Sequence, residues 1–170
     1  MSDATSRPGA PSTPGPDGEG RELVDAVMTA SRALVAIAAR SLAAAGEVTL
    51  PQYRALVVLA TRGPQRPVDL ATALGVNPSS ATRLLDRLDV AGLIRRTRLR
   101  ADRRSLRVAL SPAGRDLVAE VTLLRRAEVE RLFAALPADQ HALVITALQA
   151  ISEAAGETPE GDLDVGLGWY

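Results

Sequence analysis

Along residues 21–45 the apolar side chains fall at Leu23, Val27, Ala30, Leu34, Ile37, Ala38 and Leu42. Spacings of three and four put them on one face of an α-helix. Val24, Met28 and Val35 widen that face beyond what a lone surface helix requires, and Gly46 is placed to end it. The next segment, "TLPQYRALVVLAT", opens on Thr49 with Gln52 three residues on. That is the spacing of a capping box, and Pro51 fits a first turn. Leu56, Val57, Leu59 and Ala60 then predict a short buried helix over 49–61.

The run "VDLATALGVNPSSATRLLDRLDVAGLI" predicts a two-turn helix over 68–74 and a second helix over 78–90. Gly75 supplies the positive φ of the turn between them. Asn77 is a good N-cap, and Pro78 fits the first helical position. The inward stripe of the second helix is Ala81, Leu84, Leu85 and Leu88, and Gly92 ends it. Two helices around a glycine turn make a helix-turn-helix. The pattern then changes period. Leu106, Val108 and Leu110 alternate with Arg107 and Ala109, while Ile94, Arg96, Arg98 and Arg100 share one face of the preceding segment. Alternation means strands, and two strands around "LRADRR" make a β-hairpin, so the expected unit is a winged helix. Ser111-Pro112 caps another helix, whose stripe Leu117, Val121, Leu124, Leu132 and Leu136 runs to Pro137. A last helix is expected over 138–155, through Leu143, Val144, Leu148 and Ile151.

The two ends lack this periodicity. Residues 1–20 are rich in Pro, Gly and Ser and are expected to be a disordered tail. Residues 156–170, "GETPEGDLDVGLGWY", read as an acidic flexible tail with Trp169 and Tyr170 at its end. One domain over 21–155 is expected between them. The chain has no cysteine and a single histidine, His141, which excludes disulfides and thiolate zinc and makes a histidine metal site improbable. No metal or other cofactor is expected. His141 has no Ser, Cys or paired carboxylate beside it and reads as a surface or interface residue; no catalytic or phosphate-loop spacing occurs, so the chain is not expected to be an enzyme. No apolar run is long enough for a membrane span, and the N-terminus lacks the basic-then-apolar order of a secretory signal. The expected location is the cytoplasm.

Charge changes the picture most. The formal net charge is zero, yet "RRTRLRADRRSLRV" at 95–108 holds seven arginines and one acid, Asp102. Residues 83–107 carry nine arginines against three aspartates, a local +6, whereas 111–170 carry four arginines against ten acids, a local −6. A concentrated basic block suits a polyanion; a solvated charged face is the plainer alternative.

Taken together, residues 50–118 resemble the MarR family of transcriptional regulators, and the element order resembles it over 21–155. The matching pieces are "LATALGVNPSSATRLLDRLDVAGLI", the wing "DRRS" and "LSPAG" directly after it. Leu99 and Ala101 stand at the wing tip, where the family is usually more polar or carries proline. The resemblance implies a mainly α fold: a winged helix-turn-helix with a two-stranded β wing and an N-/C-terminal helical dimerisation region. It implies a homodimer, with 21–45 and 112–155 as dimerisation helices and 49–111 as the DNA-binding lobe, and a small apolar or aromatic effector that relieves DNA binding. The lack of cysteine and of histidine clusters sets the chain apart from the family's peroxide- and metal-sensing branches.

With Ala81, Leu84, Leu85 and Leu88 inward, helix 78–90 turns Ser79, Thr82, Arg83, Asp86 and Arg87 outward, with Ser80 at its N-terminal rim. Hydroxyls at a helix N-terminus suit phosphates or base edges. Arg83 has the fork to read guanine O6 and N7, and Arg87, a turn on, suits a phosphate. Both arginines would alternatively lie on a solvated helix face, with Arg83–Asp86 and Arg83–Arg87 as ordinary surface neighbours. In the wing, Arg98, Arg100, Asp102, Arg103 and Arg104 are the candidates. Arg103 suits a narrow minor groove, with Asp102 fixing its rotamer; alternatively Asp102 and Arg104 pair to shape the turn. Arg95, Arg96, Arg98 and Arg100 are expected to track phosphates, or in part to pair with the acidic C-terminal half. The expected function is a dimeric, sequence-specific regulator, acting as a repressor relieved by a ligand, on double-stranded DNA with a pseudo-palindromic operator. The alternative is a winged-helix interaction module whose basic wing binds an acidic protein.

Overall fold

A computed structural model of the chain describes residues 16–98 and 106–157. The chain divides into two compact units, Met1–Ala36 and Ile37–Tyr170. In the first unit the described residues are all helix. They belong to α1, Pro16–Ala45, which starts five residues before the stripe predicts and takes in 16–20. Gly18 and Gly20 lower helix propensity there, but a proline is at home in a first turn and Glu19 lies at the favourable end of the helix dipole. Within this unit Leu23, Val24, Val27, Met28, Leu34 and Val35 are exposed.

The second unit carries α2 (Leu50–Arg62), α3 (Pro67–Leu74), α4 (Pro78–Val90), β1 (Ile94–Arg98), β2 (Leu106–Leu110), α5 (Pro112–Phe133) and α6 (His141–Ala154). The end of α1 contributes buried Ile37 and Leu42. At α2 the Gln52 side-chain carbonyl accepts from both the backbone N–H and the hydroxyl of Thr49, at 2.8 Å each. The Gln half of the capping box is thus formed, with the Thr hydroxyl turned to the glutamine. Between α5 and α6 the chain makes a short 3-10 turn, Ala138–Gln140, so the last helix begins at His141 rather than 138.

The core of this unit sits where the helix-turn-helix meets the hairpin. Leu56, Leu70, Leu85, Leu88, Val108, Val118 and Val121 are its largest fully buried side chains. Each contributes about 1.5–3 kcal/mol of burial free energy. The hairpin is antiparallel, with Ile94 opposite Leu110, Arg96 opposite Val108 and Arg98 opposite Leu106. Gln65, in the loop before α3, exchanges both backbone hydrogen bonds with Val108 (2.9 and 2.8 Å). The inner edge of β2 is thereby paired, and the hairpin is tied to the entrance of the helix-turn-helix.

The base of the hairpin is closed by Ser111. Its hydroxyl donates to the Gly92 carbonyl at 2.6 Å and accepts from the Gly114 N–H at 3.0 Å, while its own N–H donates to the Leu93 carbonyl at 3.0 Å. Helix α5 therefore starts hard against the Leu93 backbone. A Cβ at Gly114 would lie 2.0 Å from the Leu93 carbonyl oxygen, so glycine is required by space and not by φ. The expected result of Gly114→Ala is a loss of about 1–3 kcal/mol in folding stability, read by chemical denaturation, because backbone rather than a movable side chain must yield.

Candidate nucleic-acid interface

Helix α4 is built to show one face. Ala81, Leu85 and Leu88 are buried, and Ser79, Ser80, Thr82, Arg83, Asp86 and Arg87 are all exposed. The turn that aims it has Gly75 in the left-handed region (φ 66°, ψ 31°), with the Val76 N–H returning to the Ala71 carbonyl at 3.0 Å. Asn77 caps α4 by accepting from the Ser80 N–H at 2.8 Å. Its carbonyl also accepts the Ser79 hydroxyl at 2.7 Å, and the Thr82 hydroxyl donates back to the Pro78 carbonyl at 2.9 Å. The five residues expected on the recognition face thus stand together on it. Those expected in the wing do not all come into view. Arg98 ends β1, and Arg100, Asp102, Arg103 and Arg104 lie outside the described residues.

Arg96 departs from the expectation that it tracks a phosphate. Its Nη2 donates to Asp86 Oδ1 at 2.6 Å, and its Nε lies 3.2 Å from Asp89 Oδ2 without an aligned hydrogen bond. The guanidinium lies between two carboxylates of α4, not against the acidic C-terminal half. Asp86 accordingly pairs across to the hairpin and not with Arg83 along its own helix. Arg95, on the opposite face of β1, is exposed and stays available to a phosphate. At the start of α3, Arg66 forks onto Asp69, with Nε and Nη2 each 2.7 Å from a carboxylate oxygen.

The MarR family model matches residues 48–106, from just before α2 to the first residue of β2. The crystal structure of Rv1404 from Mycobacterium tuberculosis aligns with a TM-score of 0.77 and 42% identity, over 82% of this chain and 96% of that one. The chain belongs to the MarR family. Its helix-turn-helix and hairpin are therefore those of a DNA-binding transcriptional regulator, a family of regulators and not of enzymes. A MarR family protein from Bacillus stearothermophilus has the same fold, with a TM-score of 0.76 at 20% identity, over 85% of this chain and all of that one. An HTH-type transcriptional regulator of Bacillus subtilis, YfiV, is 27% identical over 108 residues, 64% of this chain and 68% of its own length.

A MarR lobe of this kind leaves a cleft elsewhere in the same unit. It has a volume of about 400 Å³ and is lined from α2 by Tyr53, Arg54, Val57 and Arg62 and from α5 by Arg125. The Arg125 guanidinium stands 5.5 Å from the centre of the Tyr53 ring, and its buried Nε has no hydrogen-bond partner. Arginines line this cleft together with Glu157. His141 is exposed, with Nε2 3.2 Å from the Leu136 carbonyl oxygen. Among the described residues no single helix is long and apolar enough to cross a membrane.

The Arg66 fork lowers the Asp69 pKa from its ordinary value, first through the side-chain hydrogen bonds and then through charge, with Arg107 adding to it. A carboxylate depressed in the folded state stabilises the fold above its unfolded pKa, and this contribution is lost as pH falls through the folded value. Carboxyl-detected NMR titration should therefore show Asp69 titrating below an ordinary aspartate, and in Arg66→Ala its midpoint should move back up. An unmoved midpoint would show the fork to be absent in solution.

Proposed function

We propose that the chain is a homodimeric repressor that binds a pseudo-palindromic operator and is released from it by a small effector. The observation that carries this reading is the face of α4: hydroxyls at its N-terminus, then Arg83 and Arg87 one turn apart and exposed, over an inner stripe in which Ala81, Leu85 and Leu88 are buried. In a dimer two such helices enter successive major grooves about 10 base pairs apart. Arg83 reads guanine, Arg87 meets a phosphate, and the wing (Arg98, Arg100, Arg103 and Arg104) follows the backbone, with Arg103 in the minor groove and Asp102 holding its rotamer. Residues 49–111 form the DNA-binding lobe of one domain over 21–155, in the cytoplasm.

DNA titrations by fluorescence anisotropy at several salt concentrations separate these roles. Arg83→Ala should cost about 1–3 kcal/mol on a duplex selected by the wild type and relax discrimination against shuffled DNA. Arg87→Ala should weaken both duplexes alike and reduce the salt slope by about one. Binding equal to wild type in both variants would remove α4 from the interface, and no shift of any duplex at low salt would favour a protein partner for the wing.

The dimerisation helices are 21–45 and 112–155. Supporting this, α6 has no buried residue, its Leu143, Ile145, Leu148 and Ile151 are exposed, and so is Leu132 of α5. Apolar area of that extent on two helices is what a second copy covers. Leu143→Glu should weaken self-association by roughly tenfold or more in sedimentation equilibrium, since it places a charge in an interface core. The thermal midpoint of the DNA-binding lobe should hold. The effector is a small apolar or aromatic molecule, and the cleft beside Tyr53, lined by Arg54, Arg62 and Arg125 together with Glu157, is its candidate site.

A further inference from the structure

Helix α4 carries as many acids as bases on the side it shows to solvent. Asp86 and Asp89 stand one turn apart among Arg83 and Arg87, and all four are exposed. A helix lowered into a groove with two bare carboxylates on it would be repelled by the phosphates on either side. In this structure neither carboxylate is bare. Arg96, from the middle of β1, donates to Asp86 at 2.6 Å and holds its Nε 3.2 Å from Asp89. Its side chain is 26% exposed, whereas those of Asp86 and Asp89 are 56% and 44% exposed. The guanidinium is thus the inner member of the cluster, tucked between strand and helix.

The position of Arg96 along the hairpin gives this contact a second consequence. It lies opposite Val108, which is fully buried and is itself paired to Gln65. Strand β1 is therefore held by its ladder to β2 on one side and by Arg96 to α4 on the other. Two residues beyond Arg96 the described strand ends, and the chain goes on to the arginines of the wing. Beyond the Ser111 corner at its base, Arg96 is a side-chain tie between the hairpin and α4 further along β1.

We propose that Arg96 is a positioning residue for DNA recognition: by bridging Asp86 and Asp89 it masks the two carboxylates of the recognition helix and sets the angle between that helix and the wing. The proposal rests on the reading of α4 as the DNA-facing helix, and it assigns Arg96 a role through its two aspartates and not through a phosphate.

The test uses the full chain in four forms: wild type, Arg96→Gln, Asp86→Asn/Asp89→Asn, and the triple variant. Each is titrated against a duplex selected by the wild type from random-sequence DNA and against a shuffled duplex, with salt dependence. Arg96→Gln bares two carboxylates and should weaken binding to both duplexes, by roughly tenfold at low salt. Removing the carboxylates as well should restore the shuffled duplex to the wild-type level, although a further polar contact has gone. The aspartate double variant frees Arg96, so it should bind shuffled DNA more tightly, with a salt slope steeper by about one, and prefer the selected duplex less. A merely structural arginine predicts the opposite for the triple variant, which would bind no better than Arg96→Gln. That result, or an aspartate double variant that keeps its full preference for the selected duplex, overturns the proposal. The aspartates are about half exposed, so the double variant is expected to fold and yields a decision even where Arg96→Gln does not. If Arg83→Ala and Arg87→Ala leave DNA binding intact, the reading of α4 falls and not the bridge itself, which the Asp86 carboxyl shift by NMR reports without DNA.

Discussion

Ser111 ties together the end of α4, the foot of the hairpin and the start of α5. Its hydroxyl lies between the Gly92 carbonyl, where α4 has just ended, and the Gly114 N–H, where α5 is beginning, and its N–H closes on Leu93. A donor, an acceptor and a backbone group are satisfied at one point, so the exit of the recognition helix, the foot of β2 and the start of α5 form one rigid corner. The hairpin springs from that corner. If it loosens, the wing loses its base, and Leu110 and Ile94 lose the packing that hides them. The absence of a side chain at Gly114 lets the corner close, because the Leu93 carbonyl occupies the space a Cβ would need.

Much of this lobe was legible in the sequence because its signals are local. The helix over 78–90 was bounded by Asn77, Pro78 and Gly92, each of which acts through its own backbone. The alternation of Leu106, Val108 and Leu110 gave the strand and the face it buries. The reading failed where the deciding contact is remote in sequence. Nothing near Arg96 says that Asp86, ten residues back across a turn, will take its guanidinium; at strand spacing it is one of four arginines that look alike. Nor does "PAG" announce that its glycine is demanded by a carbonyl from another segment. The start of α1 was missed for a different reason. Pro16, Gly18 and Gly20 outweighed in composition a continuation that needs only a tolerated proline and an acid at the helix start.

The division of charge also acquires a structure. The +6 of residues 83–107 is not a uniform coat: Arg96 is consumed internally by Asp86 and Asp89, whereas Arg83, Arg87 and Arg95 stay exposed. On α5, Glu128 takes both Arg40 and Arg131, which lower its pKa by hydrogen bonding, so part of the C-terminal acidity is likewise spent within the fold. Arg83, Arg87 and Arg95 thus stay outward beside a neutralised Asp86–Asp89–Arg96 cluster, while α6 turns Leu143, Ile145, Leu148 and Ile151 outward. A neutral total is compatible with binding a polyanion because the two surfaces are separated in the chain, and counterion release depends on local charge alone.

The hydrogen bonds at the head of α4 rank the recognition residues. A phosphate oxygen only accepts, so Ser79 and Thr82 must donate to it, yet their hydroxyl protons already serve Asn77 and Pro78. Turning either outward exchanges one hydrogen bond for another and leaves an acceptor on the protein to water, so the net gain stays within about 0.5–1.5 kcal/mol. As acceptors, through their remaining lone pairs, the same hydroxyls meet a cytosine or adenine amino group with no such exchange. Among the described residues no hydrogen bond or ion pair holds the Arg83 side chain, so its bonds to a base edge are added rather than exchanged. On the proposed reading of α4, the discriminating contact falls to Arg83, with the hydroxyls as acceptors that refine it.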